Sequence, residues 1–165
     1  MNGCFLLLGT NLGDKFNHLS QAKLLLENRV GELAKCSSIY QTSAWGKENQ
    51  ENFLNQVLHF KTTLPPEDLL NVCLAIEKEL GRVRFEKWGE RLIDIDILYY
   101  NDLVLNQPEL IIPHPEIQNR KFTLVPLVEL AAESIHPLLN KSNVQLLEMC
   151  NDPLEVVKAI LSESD

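Results

Sequence analysis

The chain has 165 residues, of which 45% are hydrophobic, and it carries a formal net charge of -8 at pH 7. This length and apolar content suit one substantial core, so we expect a single domain over residues 1–165. An acidic chain lacks the broad basic surface needed to bind along a phosphate backbone, which argues against nucleic acid as a partner.

The cysteines and the N-terminal segment indicate the compartment. The four cysteines are scattered without a CxxC pair, so buried thiols in a reducing compartment explain them better than a zinc site or a disulfide framework. The apolar run at residues 4–8 is too short for a signal peptide or a membrane span, and no basic residue precedes it. We therefore predict a cytoplasmic protein without a membrane partner.

The first half of the chain alternates between strand and helix patterns. Residues 4–8 predict a short apolar strand that ends at Gly9, and after a glycine-rich turn the apolar spacing predicts a helix over residues 16–30. Residues 35–41 and 53–63 predict two strands joined by a polar loop.

A second helix and another strand follow. Pro65 and Pro66 lie in the first turn of the predicted helix, and Gly81 is placed to end it. Residues 92–99 predict the next strand, and Asn101-Asp102 predicts a hairpin turn into residues 103–105.

The order strand, helix, strand, strand, helix, strand predicts an α+β fold of the ferredoxin-like, split βαβ kind. In that plan an antiparallel sheet carries both helices on one face, and the other face is available for a site. Residues 108–165 are expected to add proline-punctuated loops and helical segments, including 124–131 and 144–150.

Two aspartates in the strand at residues 92–99 are candidate metal ligands. Asp94 and Asp96 alternate with isoleucines, so a strand would bury the isoleucines on one face and present both carboxylates on the other. Aspartate is disfavoured in strands and like charges on one face repel, so a bound cation would explain the pair. Oxygen ligands alone suggest Mg²⁺. The alternative is a solvated outer face.

A basic cluster precedes the aspartates. Arg82, Arg84, Lys87 and Arg91 place four of the 15 Lys and Arg residues close together in an acidic chain. Such a local concentration favours a small anionic ligand, such as a polyphosphate, over an extended polyanion. Ordinary solvated surface remains the alternative.

Other motifs are weaker. The glycine-rich loop after the first strand lacks the GxxxxGK[ST] spacing of a P-loop, and no GxSxG nucleophile motif is present. His114 is held in an extended loop by Pro113 and Pro115, and Arg120 follows six residues later as a second candidate contact to an anion.

Several blocks in a fixed order carry a family resemblance over nearly the whole chain. They are LLLGTNLGD at the start, residues 42–46, Phe53-Leu54-Asn55, residues 77–84, WGxRxxDxD at residues 88–96, Pro113-His114 and Asn119-Arg120-x-Phe122. In these blocks the chain resembles the 6-hydroxymethyl-7,8-dihydropterin pyrophosphokinases, folate-pathway enzymes that move a diphosphate from ATP to a pterin alcohol. The resemblance implies in-line attack of the pterin hydroxymethyl oxygen on the β-phosphorus, with AMP leaving. We expect a monomer.

The resemblance also implies roles for individual residues. Asp94 and Asp96 would hold two Mg²⁺ ions that bridge the ATP phosphates, and Arg82 and Arg91 would act on the transferred group, so these four are the expected catalytic residues. Nucleotide contacts are expected at Glu77, Arg84, Trp88, Arg91, Ile97, His114 and Arg120. Pterin contacts are expected at Thr42, Ser43, Ala44, Trp45, Phe53, Asn55, Asp94 and Phe122.

The residue types suit a flat heteroaromatic substrate. Phe53 and Phe122 offer aromatic faces to sandwich the ring, and Asn55 offers an amide that both donates and accepts hydrogen bonds. Ordinary core packing is the alternative for the two phenylalanines.

The chain departs from the common family pattern before the aspartates. Glu90 stands where proline is usual, Lys87 replaces an arginine and loses its bidentate fork, and the loop is one residue shorter than in some members. Leu74 and Pro115 stand where certain members have polar or aromatic nucleotide contacts. These changes bear on loop dynamics and ATP affinity rather than on the reaction.

Two other functions stay open from the sequence. A nucleotidyltransferase would also use paired aspartates and a metal, but it would release pyrophosphate, and its glycine loop usually lies closer to the aspartates. A non-catalytic binding module of ferredoxin-like fold would explain the architecture but not the combination of aspartates and arginines.

Overall fold

An antiparallel sheet organises the protein. The part of the chain that the computed structural model describes comprises residues 2–43, 52–82 and 92–160. The central strand β1 (Cys4–Thr10) pairs antiparallel with β4 (Phe53–Thr62) on one side and with β5 (Asp94–Tyr100) on the other. Nearly every residue of β1 is buried. This is the expected environment for a continuous apolar run in the middle of a sheet.

The other edge of β4 carries two strands where the sequence predicted one. In place of the predicted strand over residues 35–41 the structure has β2 (Gly31–Cys36), most of which was not predicted, and β3 (Tyr40–Thr42), and the two pair with different parts of β4. Between the two strands Ser37 bonds to Val57 of β4 twice: its N–H donates to the Val57 carbonyl and its Oγ accepts the N–H of Val57, both at 2.9 Å. A further strand, β8 (Val156–Lys158), pairs with β3, in a region where only helices and loops were expected.

The two long helices cover one face of the sheet, as predicted. They are α1 (Lys15–Arg29) and α2 (Pro66–Arg82). Their apolar sides pack on Leu6, Leu8 and the strand isoleucines in the larger hydrophobic cluster. The antiparallel α+β plan is therefore confirmed.

The C-terminal additions occupy part of the second face. The predicted helical segments are present as α3 (Lys121–Ala131) and α4 (Asn143–Met149), which pack on Phe5 and Val57 in a second hydrophobic cluster. A register shift in β5 places both Leu98 and Tyr99 in this cluster. The described residues leave the rest of the second face, toward the start of β5, open as a cavity. None of the helices in the described residues has the length and apolar content needed to cross a bilayer.

The predicted hairpin after β5 is wrong. A turn does form at Asn101, but β6 (Leu105–Asn106) pairs with β7 (Ile111–Ile112) instead of with β5. The outer edge of β5 already has other partners, since the Glu77 carboxylate accepts the N–H of Ile95 and the backbone N–H of His114 donates to Leu98. Because these backbone groups are already hydrogen-bonded, they are not available to pair with a strand that returns along this edge.

Candidate active site

A cavity of about 370 Å³ opens on the second face of the sheet, and most of its wall was predicted from the sequence. The predicted site residues that line it are Thr42, Ser43, Phe53, Asn55, Asp94, Asp96, Arg120 and Phe122. We call this the first cavity. Its size suits a small heterocycle, since ligand pockets are usually a few hundred cubic ångströms.

Three neighbouring strands build the floor of the first cavity. Gly9 in β1 is paired with Asn55 in β4 and with Asp94 in β5, so the three residues lie in one row across the sheet. Asn55 is 5% exposed, and its Nδ2 donates a hydrogen bond to the carbonyl of Leu8 at 3.1 Å. The amide is thus held against β1, and within the described residues no partner is recorded for its Oδ1.

Aromatic and cationic groups form the walls. Phe53 is 40% exposed although it is a large apolar side chain at the start of β4. Phe122 is half-buried beside the second hydrophobic cluster, and the guanidinium of Arg120 lies 5.7 Å from the centre of its ring. This is within the range of a cation–π contact. The cavity therefore offers an exposed aromatic face, a second ring and a cation.

Thr42 contributes a buried polar atom. Its side chain is 3% exposed, and its Oγ1 has no hydrogen-bond partner within the described part of the chain. Buried hydroxyls in folded proteins almost always have a partner, so this one is an exception within the described residues.

A second cavity of about 260 Å³ lies along the outer edge of β5, between α2 and the segment that contains β7. It holds Glu77, Ile97 and His114, three of the predicted nucleotide contacts. Asp96 lines both cavities, whereas Asp94 lines the first. Asp96 therefore lies where the two cavities adjoin. We call the one along the outer edge of β5 the second cavity.

His114 has a defined tautomer. Its Nδ1 accepts the backbone N–H of Glu116 at 3.1 Å, so the proton of the neutral ring is on Nε2. Burial lowers the pKa of His114, and Arg120 acts in the same direction, while the Asp96 and Glu116 carboxylates oppose the shift. The ring is therefore neutral at pH 7, and its Nε2–H is a donor for an anionic or polar ligand.

The two aspartates suit a magnesium ion that a substrate helps to hold. Asp94 is exposed and Asp96 is half-buried, and Ile95 between them is buried on the opposite face. Among the described residues there is no group of three or more His, Cys, Asp or Glu side chains that could form a complete metal cage. Mg²⁺ typically takes one or two carboxylates and completes its shell with water and substrate phosphates, so the donor set fits.

Some predicted residues fall outside the described part of the chain. They are Ala44, Trp45, Arg84, Trp88, Arg91 and the side chain of Arg82. Arg120, predicted as a nucleotide contact, lines the first cavity rather than the second.

Several residues that line the two cavities were not predicted from the sequence. Leu7, Gly9 and Leu154 line the first cavity, and Leu70 and the segment 108–111 line the second. Gly9 carried a signal, since a glycine inside a strand often marks a close approach of another group. Leu154 carried none, because its position depends on the fold of the C-terminal segment.

The fold is an α+β domain with two adjoining cavities, and Asp96 lines both of them. The comparisons with known proteins define its class, an ATP-dependent transferase. The family model described as 7,8-dihydro-6-hydroxymethylpterin-pyrophosphokinase (HPPK) matches residues 5–132. The chain belongs to this family, and it is a pyrophosphokinase of folate biosynthesis.

Two bacterial proteins are similar to this chain in sequence. A protein of Aquifex aeolicus is 45% identical over 137 residues, which is 83% of this chain and 85% of that protein. One from Synechocystis sp. is 40% identical over 148 residues, covering 89% of this chain and 75% of that protein. Both are named 2-amino-4-hydroxy-6-hydroxymethyldihydropteridine pyrophosphokinase.

Solved structures share the fold. A triple mutant of Plasmodium falciparum HPPK-DHPS superposes with a TM-score of 0.74 at 20% identity, covering 90% of this chain and 44% of that chain. A crystal structure of HPPK-DHPS in complex with substrates gives a TM-score of 0.72 at 16% identity, over 90% and 43% of the respective chains. The present chain thus spans less than half the length of these two proteins.

Proposed function

We propose that the first cavity binds 6-hydroxymethyl-7,8-dihydropterin, that the second binds ATP, and that Asp96 marks where the diphosphate crosses between them. The observation that supports this division is that Asp96 lines both cavities, while the aromatic residues line one and His114 lines the other. A reaction between two substrates requires their reacting atoms to meet at about 3–3.5 Å, and adjoining cavities allow that approach.

Pterin recognition is assigned to four groups of the first cavity. Phe53 and Phe122 stack on the ring faces, the Asn55 amide bonds to the polar edge of the ring, and Thr42 packs beside that edge. The arrangement supports a polar heterocycle rather than an aliphatic ligand, because Asn55 lines the cavity and its Oδ1 has no hydrogen-bond partner among the described residues. An aliphatic ligand would leave that amide oxygen unsatisfied.

The nucleotide is assigned to the second cavity. The Nε2–H of His114 donates to ATP, and Ile97 provides apolar contact. Arg120 lies on the pterin side, so we assign it to the diphosphate during or after transfer rather than to the adenosine. The roles that the sequence predicts for Arg82, Arg84, Arg91 and Trp88 stay part of the proposal: the arginines are cationic contacts and Trp88 is a nucleotide contact.

Asp94 and Asp96 are assigned as the carboxylates that hold two Mg²⁺ ions together with the ATP phosphates. Bound Mg²⁺ supplies neutralisation of phosphate charge and orients the chain of phosphates. The protein's own part is to align the hydroxymethyl oxygen with the β-phosphorus. A bond forms between these two atoms, the bond from the β-phosphorus to the α–β bridging oxygen breaks, AMP leaves with that oxygen, and the hydroxyl proton is released to solvent.

A product analysis with ATP labelled at the γ-phosphate tests this assignment. We expect AMP in equal amount to the pterin product, with the label on the distal phosphate of that product and no turnover without Mg²⁺ or without the reduced pterin alcohol. ADP as the stoichiometric product, or pyrophosphate release as from a nucleotidyltransferase, would contradict it. We further propose that the enzyme works as a cytoplasmic monomer with one domain over residues 1–165.

A further inference from the structure

Gly9 lies at the centre of the cavity floor, where its missing side chain leaves room for Asn55. A β-carbon placed on Gly9 would be 2.8 Å from Nδ2 of Asn55 and 4.0 Å from its Cγ. Both atoms belong to the side-chain amide that donates to the Leu8 carbonyl. The amide of Asn55 therefore rests over the backbone of β1 in the space that any other residue at position 9 would fill.

The backbone itself does not require glycine at this position. Gly3, Gly13 and Gly31 have positive φ angles, but Gly9 is a regular strand residue with ordinary φ. Alanine can adopt that conformation without strain. The atom that a methyl group would meet is the end of a side chain beside an open cavity, so the fold can accommodate it by moving the amide.

We propose that Gly9 determines the specificity of the first cavity for a flat heterocycle with an amide-like edge, by allowing the Asn55 amide to lie against β1. The inference rests on the proposed function, since it takes the ligand of the first cavity to be the pterin. Van der Waals contact requires about 3.5 Å, so a methyl group at position 9 displaces the amide by about 0.7 Å. That shift lengthens the hydrogen bond to Leu8 and moves the amide out of the position from which it reads the ring edge.

The first test is the affinity of Gly9→Ala for 6-hydroxymethyl-7,8-dihydropterin, measured by calorimetry. We expect a loss of about ten-fold or more, because a ring edge is left unpaired. The affinity for ATP and the melting temperature should stay close to those of the wild-type protein. Wild-type pterin affinity in the variant would overturn the inference. A variant that melts far below the wild type would also overturn it, because Gly9 would then serve the fold.

A double-mutant cycle with Asn55→Ala tests the route of the effect. If Gly9 acts through the amide, adding Gly9→Ala to Asn55→Ala should produce no further loss of pterin affinity. Additive losses would show that the methyl group blocks the ring directly, and they would overturn the assignment to Asn55.

Gly31 provides the matched control. It has φ +154°, and a β-carbon there would be 2.1 Å from the carbonyl oxygen of Lys61, at the far end of β4 from Asn55. Gly31→Ala should therefore lower the melting temperature and leave the pterin affinity of the folded protein unchanged. If the wild-type protein itself binds no pterin, the proposed function fails. If it binds and Gly9→Ala binds equally well, only the inference about Gly9 fails.

Discussion

The carboxylate of Glu77 accepts a hydrogen bond from the backbone N–H of Ile95 at 2.7 Å, and Ile95 is the residue between Asp94 and Asp96. Glu77 is 5% exposed and comes from α2, whereas the aspartates belong to β5 at the edge of the sheet. An acidic side chain of a helix thus holds the strand segment that presents the two carboxylates. The sequence placed Glu77 among the nucleotide contacts, and the structure gives it this positioning contact in addition.

Two replacements of Glu77 test its positioning contact to Ile95. Glu77→Gln keeps an oxygen that can accept the Ile95 N–H, so we expect stability near that of the wild type. Glu77→Ala leaves a buried donor unpaired and should cost about 1–3 kcal/mol of unfolding free energy in urea denaturation. The alanine variant should also need more Mg²⁺ for half-maximal turnover, because β5 is less firmly held. Equal stability of the two variants would contradict the positioning role.

Removal of either aspartate should abolish most of the activity without unfolding the protein. We expect Asp94→Asn and Asp96→Asn to lower kcat at least about 100-fold, because charge on the phosphates is no longer neutralised. Asp102→Asn, a charge change in the exposed turn after β5, is the matched control and should retain activity. Near-normal turnover of both site variants in an AMP-release assay would refute the assignment of the metal ligands.

The comparison of sequence and structure shows which features are locally encoded. The alternation around Asp94 and Asp96 predicted correctly that Ile95 and Ile97 are buried, because strand periodicity depends on neighbouring residues alone. The hairpin after β5 was predicted wrongly, because the partner of a strand edge is decided by distant groups such as Glu77 and His114.

The same distinction holds in the candidate site. The family resemblance predicted much of the lining of the first cavity, but not that Arg120 and Leu154 line it. Both depend on how the C-terminal segment packs on the second face, and no local pattern of the sequence specifies that packing.

The contact between Tyr40 and Glu129 should make stability fall at high pH. The Tyr40 hydroxyl donates to the Glu129 carboxylate, and burial together with this contact raises the pKa of Tyr40 from 10.0 to about 12. A pKa that is higher in the folded than in the unfolded state adds stability at pH values below the unfolded pKa. That contribution is lost as pH rises from about 10 to 12. Urea denaturation at pH 8 and pH 11 should show this decline, and Tyr40→Phe should reduce it. An equal decline in both proteins would contradict the linkage.

The same contact acts in the opposite direction at low pH. Burial favours a higher pKa for Glu129, but hydrogen bonds from Tyr40 and Ser38 outweigh it and the pKa is lowered. A pKa that is lower in the folded than in the unfolded state adds stability at pH values above the unfolded pKa. That contribution is lost as pH falls through the folded pKa. Glu129→Gln should therefore lose less stability than the wild type between pH 7 and pH 3. A steeper decline in the variant would show that Glu129 does not contribute in this way.

The two phenylalanines of the first cavity should separate pterin binding from core packing. Phe53 is 40% exposed, so Phe53→Ala should weaken pterin binding through lost stacking and change the unfolding free energy little. Phe122 also packs on the second hydrophobic cluster, so Phe122→Ala should lower both pterin affinity and stability. Leu24→Ala, at a 59% exposed position on α1, is the control for truncating an exposed apolar side chain and should change neither. If Phe53→Ala melts at a much lower temperature with its pterin affinity intact, core packing is the correct explanation for that residue.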